Sequence, residues 1–182
     1  MTGAFKETII MHAKAPADHV FYRSLRKSYP TAVRAEGVFI YDQTGKSYLD
    51  GSGGAVVVSI GHGVEKIQKA MLDQASRIAF AHGSQFTTVA AVELAQKIVD
   101  ICPPGLERVY FLSGGSEAVE TAVKMARQYQ VDRGMPSKYK VISRWTSYHG
   151  NTLGALALGG HTGRRKYYLP LMQHTPHVAP AY

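Results

Sequence analysis

The sequence predicts an α/β fold: a mainly parallel sheet with flanking helices. Two stretches carry that expectation. In Arg108–Gln130 a short apolar run, Val109–Leu112, passes through Ser113-Gly114-Gly115-Ser116 into an amphipathic helix. Its apolar residues Val119, Ala122, Val123 and Ala126 recur at three-and-four spacing. A second apolar run, Lys140–Arg144, follows that helix. Strand, helix and strand within about 35 residues make a βαβ unit, whose strands are expected to be parallel with a right-handed crossover.

The other elements follow in order. Met1 to about Ala17 shows no periodicity and reads as a loose arm. His19–Lys27 fits a short helix that stops before Pro30. Val38–Tyr41 and Lys46–Asp50 flank Asp42-Gln43-Thr44-Gly45, the pattern of a β-hairpin. A glycine-rich loop, Asp50–Gly54, leads into Ala55–Ile60, an apolar run that periodicity does not assign. His62 lies between two glycines and reads as a turn residue leading into a helix. That helix carries Val64, Ile67, Met71, Ala75 and Ile78 on one side. Another runs from about Thr88 to Ile101 and stops at Pro103-Pro104. In the central helix Ser116 suits the N-cap, and Glu120 with Lys124 suits an i,i+4 ion pair. Thr152–Leu158 looks helical, and Val178 opens a further strand.

Composition narrows the function. An apolar share of 45% in 182 residues is that of a globular chain. No apolar run reaches the about 18 residues of a membrane span, and there is no signal-peptide pattern. The lone cysteine, Cys102, excludes an internal disulfide and fits a reducing compartment, so the cytoplasm is expected. A net charge of +8 raises nucleic acid as a partner, but the basic residues are scattered and form no such motif, so none is expected. His174-Thr175-Pro176-His177 has no third ligand nearby, so no metal is expected either.

A strand that turns through small residues into a helix aims unpaired backbone N–H groups at one point. That suits an anion, most often a phosphate. Gly114 and Gly115 leave the approach open. A bare connection with no ligand fits the same pattern, which is neither GxGxxG nor GxxxxGK[ST]. Tyr148-His149-Gly150 follows the second predicted strand, at the sheet edge where ligands collect. Tyr148 could stack on a flat ring or pack under its own loop. His149 suits an acid or base near neutral pH, or a structural role.

Ser113–Arg127 (SGGSEAVETAVKMAR) and Ser147–Gly160 (SYHGNTLGALALGG) resemble two signatures of the class III pyridoxal-phosphate-dependent aminotransferases. Tyr41–Gly63 and Ala81–Thr88 resemble the segments that precede them in that family. The resemblance implies the fold type I architecture of aspartate aminotransferase, here truncated. Residues 1–60 would contribute to a small domain, and 61–182 would form the first part of the large cofactor-binding domain. It implies pyridoxal 5'-phosphate as cofactor, an amino donor and a 2-oxo acid acceptor as substrates, and a homodimer with Gln85–Thr88 near the partner's site. Gly115 and Ser116 match the positions that hold the cofactor phosphate, Tyr148 the stacking aromatic, with His149 beside it; Ser52 and Gly53 fall where substrate approaches. The family's Schiff-base lysine lies downstream of the Tyr-His-Gly motif, so no residue of this chain matches it. The 182-residue polypeptide alone is expected not to transaminate. The alternative is a non-catalytic chain that only binds a phosphate ligand or dimerises.

Overall fold

A computed structural model of the chain describes residues 19–181. They divide into two compact units, one ending at Phe86 and the other beginning at Thr87. The loose arm expected over Met1–Ala17 lies outside the described residues.

The first unit is built on an antiparallel sheet of β1 (Ala32–Glu36), β2 (Phe39–Asp42) and β3 (Ser47–Leu49) in that order. The expected hairpin is β2–β3, in the register Phe39↔Leu49 and Tyr41↔Ser47. Asp42 organises its tip. The Asp42 carboxylate accepts from the Thr44 hydroxyl and amide (2.6 and 2.8 Å), the Lys46 amide (3.1 Å) and the Tyr48 hydroxyl (2.8 Å). β1 adds a third strand that the hairpin pattern did not announce.

His19–Lys27 is not a helix. Its one turn is Lys27 N to Ser24 O, and Tyr22 instead stacks on Tyr29 with ring centres 4.9 Å apart. A nine-residue helix lies below the length that stands without a packing partner, and Phe21 and Leu25 remain exposed.

After β3 the chain makes α1 (Gly53–Val56), a single turn of left-handed backbone: φ is 54° at Gly53, 62° at Gly54, 64° at Ala55 and 68° at Val56. Glycine adopts this at no cost, whereas Ala55 and Val56 are strained there. His62 does more than lead into the next helix. Its backbone bridges Gly37, and its Nε2 lies 3.0 Å from the Asp50 carboxylate. That hydrogen bond, more than any other influence, lowers the pKa of Asp50. Helix α2 (Glu65–Arg77) forms as its periodicity predicts.

In the second unit α3 (Val89–Ile101) begins at Thr88, whose hydroxyl accepts from Ala91 N at 3.2 Å. The central helix is α4 (Gly115–Asp132). The expected strand Val109–Leu112 has no ladder partner, and Tyr110 is 70% exposed. A strand buried on both faces needs neighbours on both sides, and none of the described residues supplies them. The expected pairing of Val109–Leu112 with Lys140–Arg144 is therefore not made. Only Ser143–Arg144 of the second run forms a strand, β4, and it pairs in parallel with β5 (His177–Val178), the strand announced at Val178.

Between β4 and β5 lie α5 (Leu153–Leu158), α6 (Thr162–Arg165) and a 3-10 turn at Leu169–Leu171. Ala155, Leu156 and Ala157 of α5 are the buried apolar side chains among the described residues. Arg165 is buried beside them, against a backbone carbonyl and a histidine ring. Its Nη1 donates to Gly159 O and lies against His177 Nε2, both at 2.8 Å. His177 Nδ1 lies 2.8 Å from Thr175 O and its Nε2 3.1 Å from Leu158 O, while the ring stacks on Trp145. No helix among the described residues is long and apolar enough to cross a membrane.

Candidate functional site

The start of α4 differs from the sequence expectation in a way that favours a ligand. The N-cap is Gly114, in extended backbone and with no side chain to bond the helix amides; Ser116 lies two residues inside. The first N–H groups of a helix have no carbonyl within it to pair with. Here no capping oxygen takes one either. An 18-residue helix adds its dipole to that unpaired positive end.

Ser116 is thereby released for another role. Its Oγ accepts from the amide of Asn151 at 2.8 Å, 35 residues away. The hydroxyl proton remains free to be donated towards whatever sits on the turn. Asn151 follows Tyr148-His149-Gly150, so this bond draws the tyrosine loop against the head of α4. Gly150 makes the approach possible. Its φ is +136°, and an added Cβ would sit 2.9 Å from Ser116 Cα and 3.0 Å from Ala155 Cβ. Both the conformation and the space exclude a side chain there.

A cavity of about 430 Å³ opens between these two segments, lined by Gly115, Ser116, Val119, Tyr148, His149 and Gly150. It is open to solvent, and nothing lies within 4 Å of where a Gly115 Cβ would stand. Tyr148 is 62% exposed, with the Arg164 guanidinium 4.8 Å from its ring centre. His149 is half-buried beside it.

Four residues singled out in the sequence thus meet at one place: Gly115, Ser116, Tyr148 and His149. Ser52 and Gly53 belong to the other unit, where they open the left-handed turn α1. Sequence reasoning missed Gly150, Asn151 and Glu120. The Glu120 carboxylate does not pair with Lys124. Its Oε1 accepts from Thr152 Oγ1 (2.6 Å), Gly154 N (3.0 Å) and Ala155 N (3.3 Å). The Thr152 hydroxyl, an N-cap recognisable in sequence, was the one local sign that α5 begins where a carboxylate could reach it. His174 lines a separate cavity with Glu120, Lys140 and Thr175. No group of three or more metal-ligating side chains is assembled among the described residues.

An uncapped helix start and an exposed aromatic ring thus border one cavity, and comparison with known proteins gives the chain a family. The aminotransferase YodT of Bacillus subtilis is 43% identical over 155 residues, covering 85% of this chain and 35% of its own length. A thermostable (S)-enantioselective omega-transaminase from Thermomicrobium roseum superposes with a TM-score of 0.84 at 34% identity, covering 91% of this chain and 38% of its own. An omega transaminase from Pseudomonas jessenii, solved in complex with PMP, gives a TM-score of 0.80 at 30% identity, with 85% and 34% covered. The chain spans about a third of the length of the curated relatives it matches. The family profile described as Aminotransferase class-III matches residues 22–182, and by that match the chain belongs to the class-III aminotransferases.

Proposed function

We propose that the protein transfers an amino group from an amine or amino acid to a 2-oxo acid, using pyridoxal 5'-phosphate. The observation that carries this is the single cavity shared by the head of α4 and the Tyr148 loop. A phosphate ester fits the uncapped amides of Gly115 and Ser116, with the Ser116 hydroxyl as a further donor. The open space at Gly115 admits it. Tyr148 offers a ring face to an attached heterocycle, and His149 borders the same space. When bound, the cofactor supplies the electron sink for the reacting amine. The chain's own residues grip its phosphate, orient its ring and shield one side from water.

Ser52 and Gly53 approach the substrate in this reading. Supporting that role is the strained turn they open, because strain of this kind tends to persist where a site needs it. A homodimer accounts for the exposed aromatics Phe80 and Phe86 around the predicted partner-facing loop. The single free cysteine, half-buried, suits work in the cytosol.

The test uses the full-length protein as its gene encodes it. Titration with pyridoxal phosphate should show saturable binding, and a set of amines with a 2-oxo acid should give the corresponding amino acid. Ser116→Ala should weaken cofactor binding by about 1.5–3 kcal/mol, the worth of a hydrogen bond to a charged group. Unchanged affinity in that variant would remove Ser116 from the phosphate site, and no binding by the unsubstituted protein would end the proposal.

A further inference from the structure

The two walls of the cavity are distant in sequence, and one carboxylate on α4 bonds the segment that follows the Tyr148 loop. Glu120 lies one turn along α4 from Ser116, and its Oε1 gathers three donors from the start of α5: the Thr152 hydroxyl and the amides of Gly154 and Ala155. With the Ser116–Asn151 bond, four hydrogen bonds run from α4 to residues 151–155. That segment continues directly from Tyr148-His149-Gly150. The approach is tight: a Cβ on Gly154 would stand 2.6 Å from Glu120 Oε1. The described ion pairs are Arg34–Glu36, His62–Asp50 and Lys69–Asp73, so the Glu120 charge is met by hydrogen-bond donors and not by a cation.

We propose that Glu120 is a positioning residue for the cofactor. By pinning α5 to α4 it holds the Tyr148 ring at stacking distance from a heterocycle whose phosphate sits on Gly115 and Ser116. This rests on the site reading given under Proposed function. The phosphate grip itself lies in the first turn of α4 and does not pass through Glu120. Loss of the carboxylate therefore uncouples the ring from the phosphate and leaves the phosphate turn in place. A stacked aromatic pair is worth about 0.5–1.5 kcal/mol, so losing its alignment costs up to about tenfold in affinity.

The experiment measures dissociation constants of the full-length protein for pyridoxamine phosphate and for inorganic phosphate, in Glu120→Gln, Glu120→Ala, Tyr148→Ala and the doubly substituted proteins. Circular dichroism confirms folding. Glu120→Ala should weaken pyridoxamine phosphate about tenfold and inorganic phosphate less than about twofold, with Glu120→Gln intermediate because its amide oxygen still accepts. In the Tyr148→Ala background either Glu120 substitution should cost almost nothing, since the ring it positions is gone. Additive effects, or equal losses for both ligands, would show that Glu120 merely supports the fold and would overturn the proposal. Should Glu120→Ala fail to fold, the cycle with Glu120→Gln decides in the same way. Failure of the unsubstituted protein to bind pyridoxamine phosphate would overturn the site reading together with this proposal. Normal binding that is indifferent to Glu120 would overturn this proposal alone.

Discussion

Asp42 shows how much one side chain can organise. It is 6% exposed and takes four hydrogen bonds in the β2–β3 tip. The Thr44 hydroxyl first, and then the Tyr48 hydroxyl, bring its pKa from 3.8 down to about 2. A carboxyl more acidic in the folded state than in the unfolded one stabilises fully above its unfolded value. That contribution fades as the pH falls from 3.8 towards 2. Thermal melts across that window should show the hairpin unit losing stability with acid. Asp42→Asn, already uncharged, should melt lower at pH 7 and lose less between pH 4 and 2. An equal acid response in the variant would place the titration elsewhere. Asp42 was legible as a turn residue because its partners are within six positions. Gly115, Ser116 and Tyr148 were legible for a related reason, since small residues before a helix and an aromatic after a strand are local patterns. Glu120 was not. Lys124 stood at the favourable spacing, and nothing near Glu120 in the chain announces donors more than 30 residues away.

Elements followed the same division between local and distant information. Helices α2, α3, α4 and α5 came from patterns contained within each segment, although the N-cap of α4 fell at Gly114 and not at Ser116. Among the strands the hairpin β2–β3 was as legible, because its partners are neighbours in the chain, whereas the central parallel pairing was not, because such a strand exists only through a distant partner. Val109–Leu112 has the composition without the partner, and β4 found β5 instead of that run. The left-handed turn α1 straddles the end of the glycine-rich loop and the start of an apolar run that periodicity left unassigned. At Val56, φ is 68° and the side chain is 87% exposed, so it bears strain with little burial in return. Relieving that strain with Val56→Gly is worth about 1–2 kcal/mol, offset by about 0.5–1 kcal/mol of added unfolded-state entropy. Denaturant unfolding should show the variant equal to or slightly more stable than the unsubstituted protein. A loss above about 1 kcal/mol, typical of deleting a packed apolar side chain, would mean that the turn is not left-handed.

At the scale of the molecule, the family was readable from several motifs in a fixed order, while the completed packing was not. Leu112, Ile142 and Tyr110 stand exposed although their sequence context is that of buried strands. Segments this apolar need the covering that the sequence pattern presupposes. The two units also differ in how their strands come together. In the first, β2 and β3 are joined by a tight turn. In the second, the parallel pair β4–β5 is closed only after the chain has passed from Trp145 to Pro176. Closing so long an excursion costs entropy before any contact repays it, whereas hairpins form in about 1–10 μs. Refolding should therefore proceed in a set order. Pulse-labelled amide exchange should find Tyr41 and Tyr48 protected early and Ser143 and Trp145 late, and the slow step should be the meeting of the two distant strands.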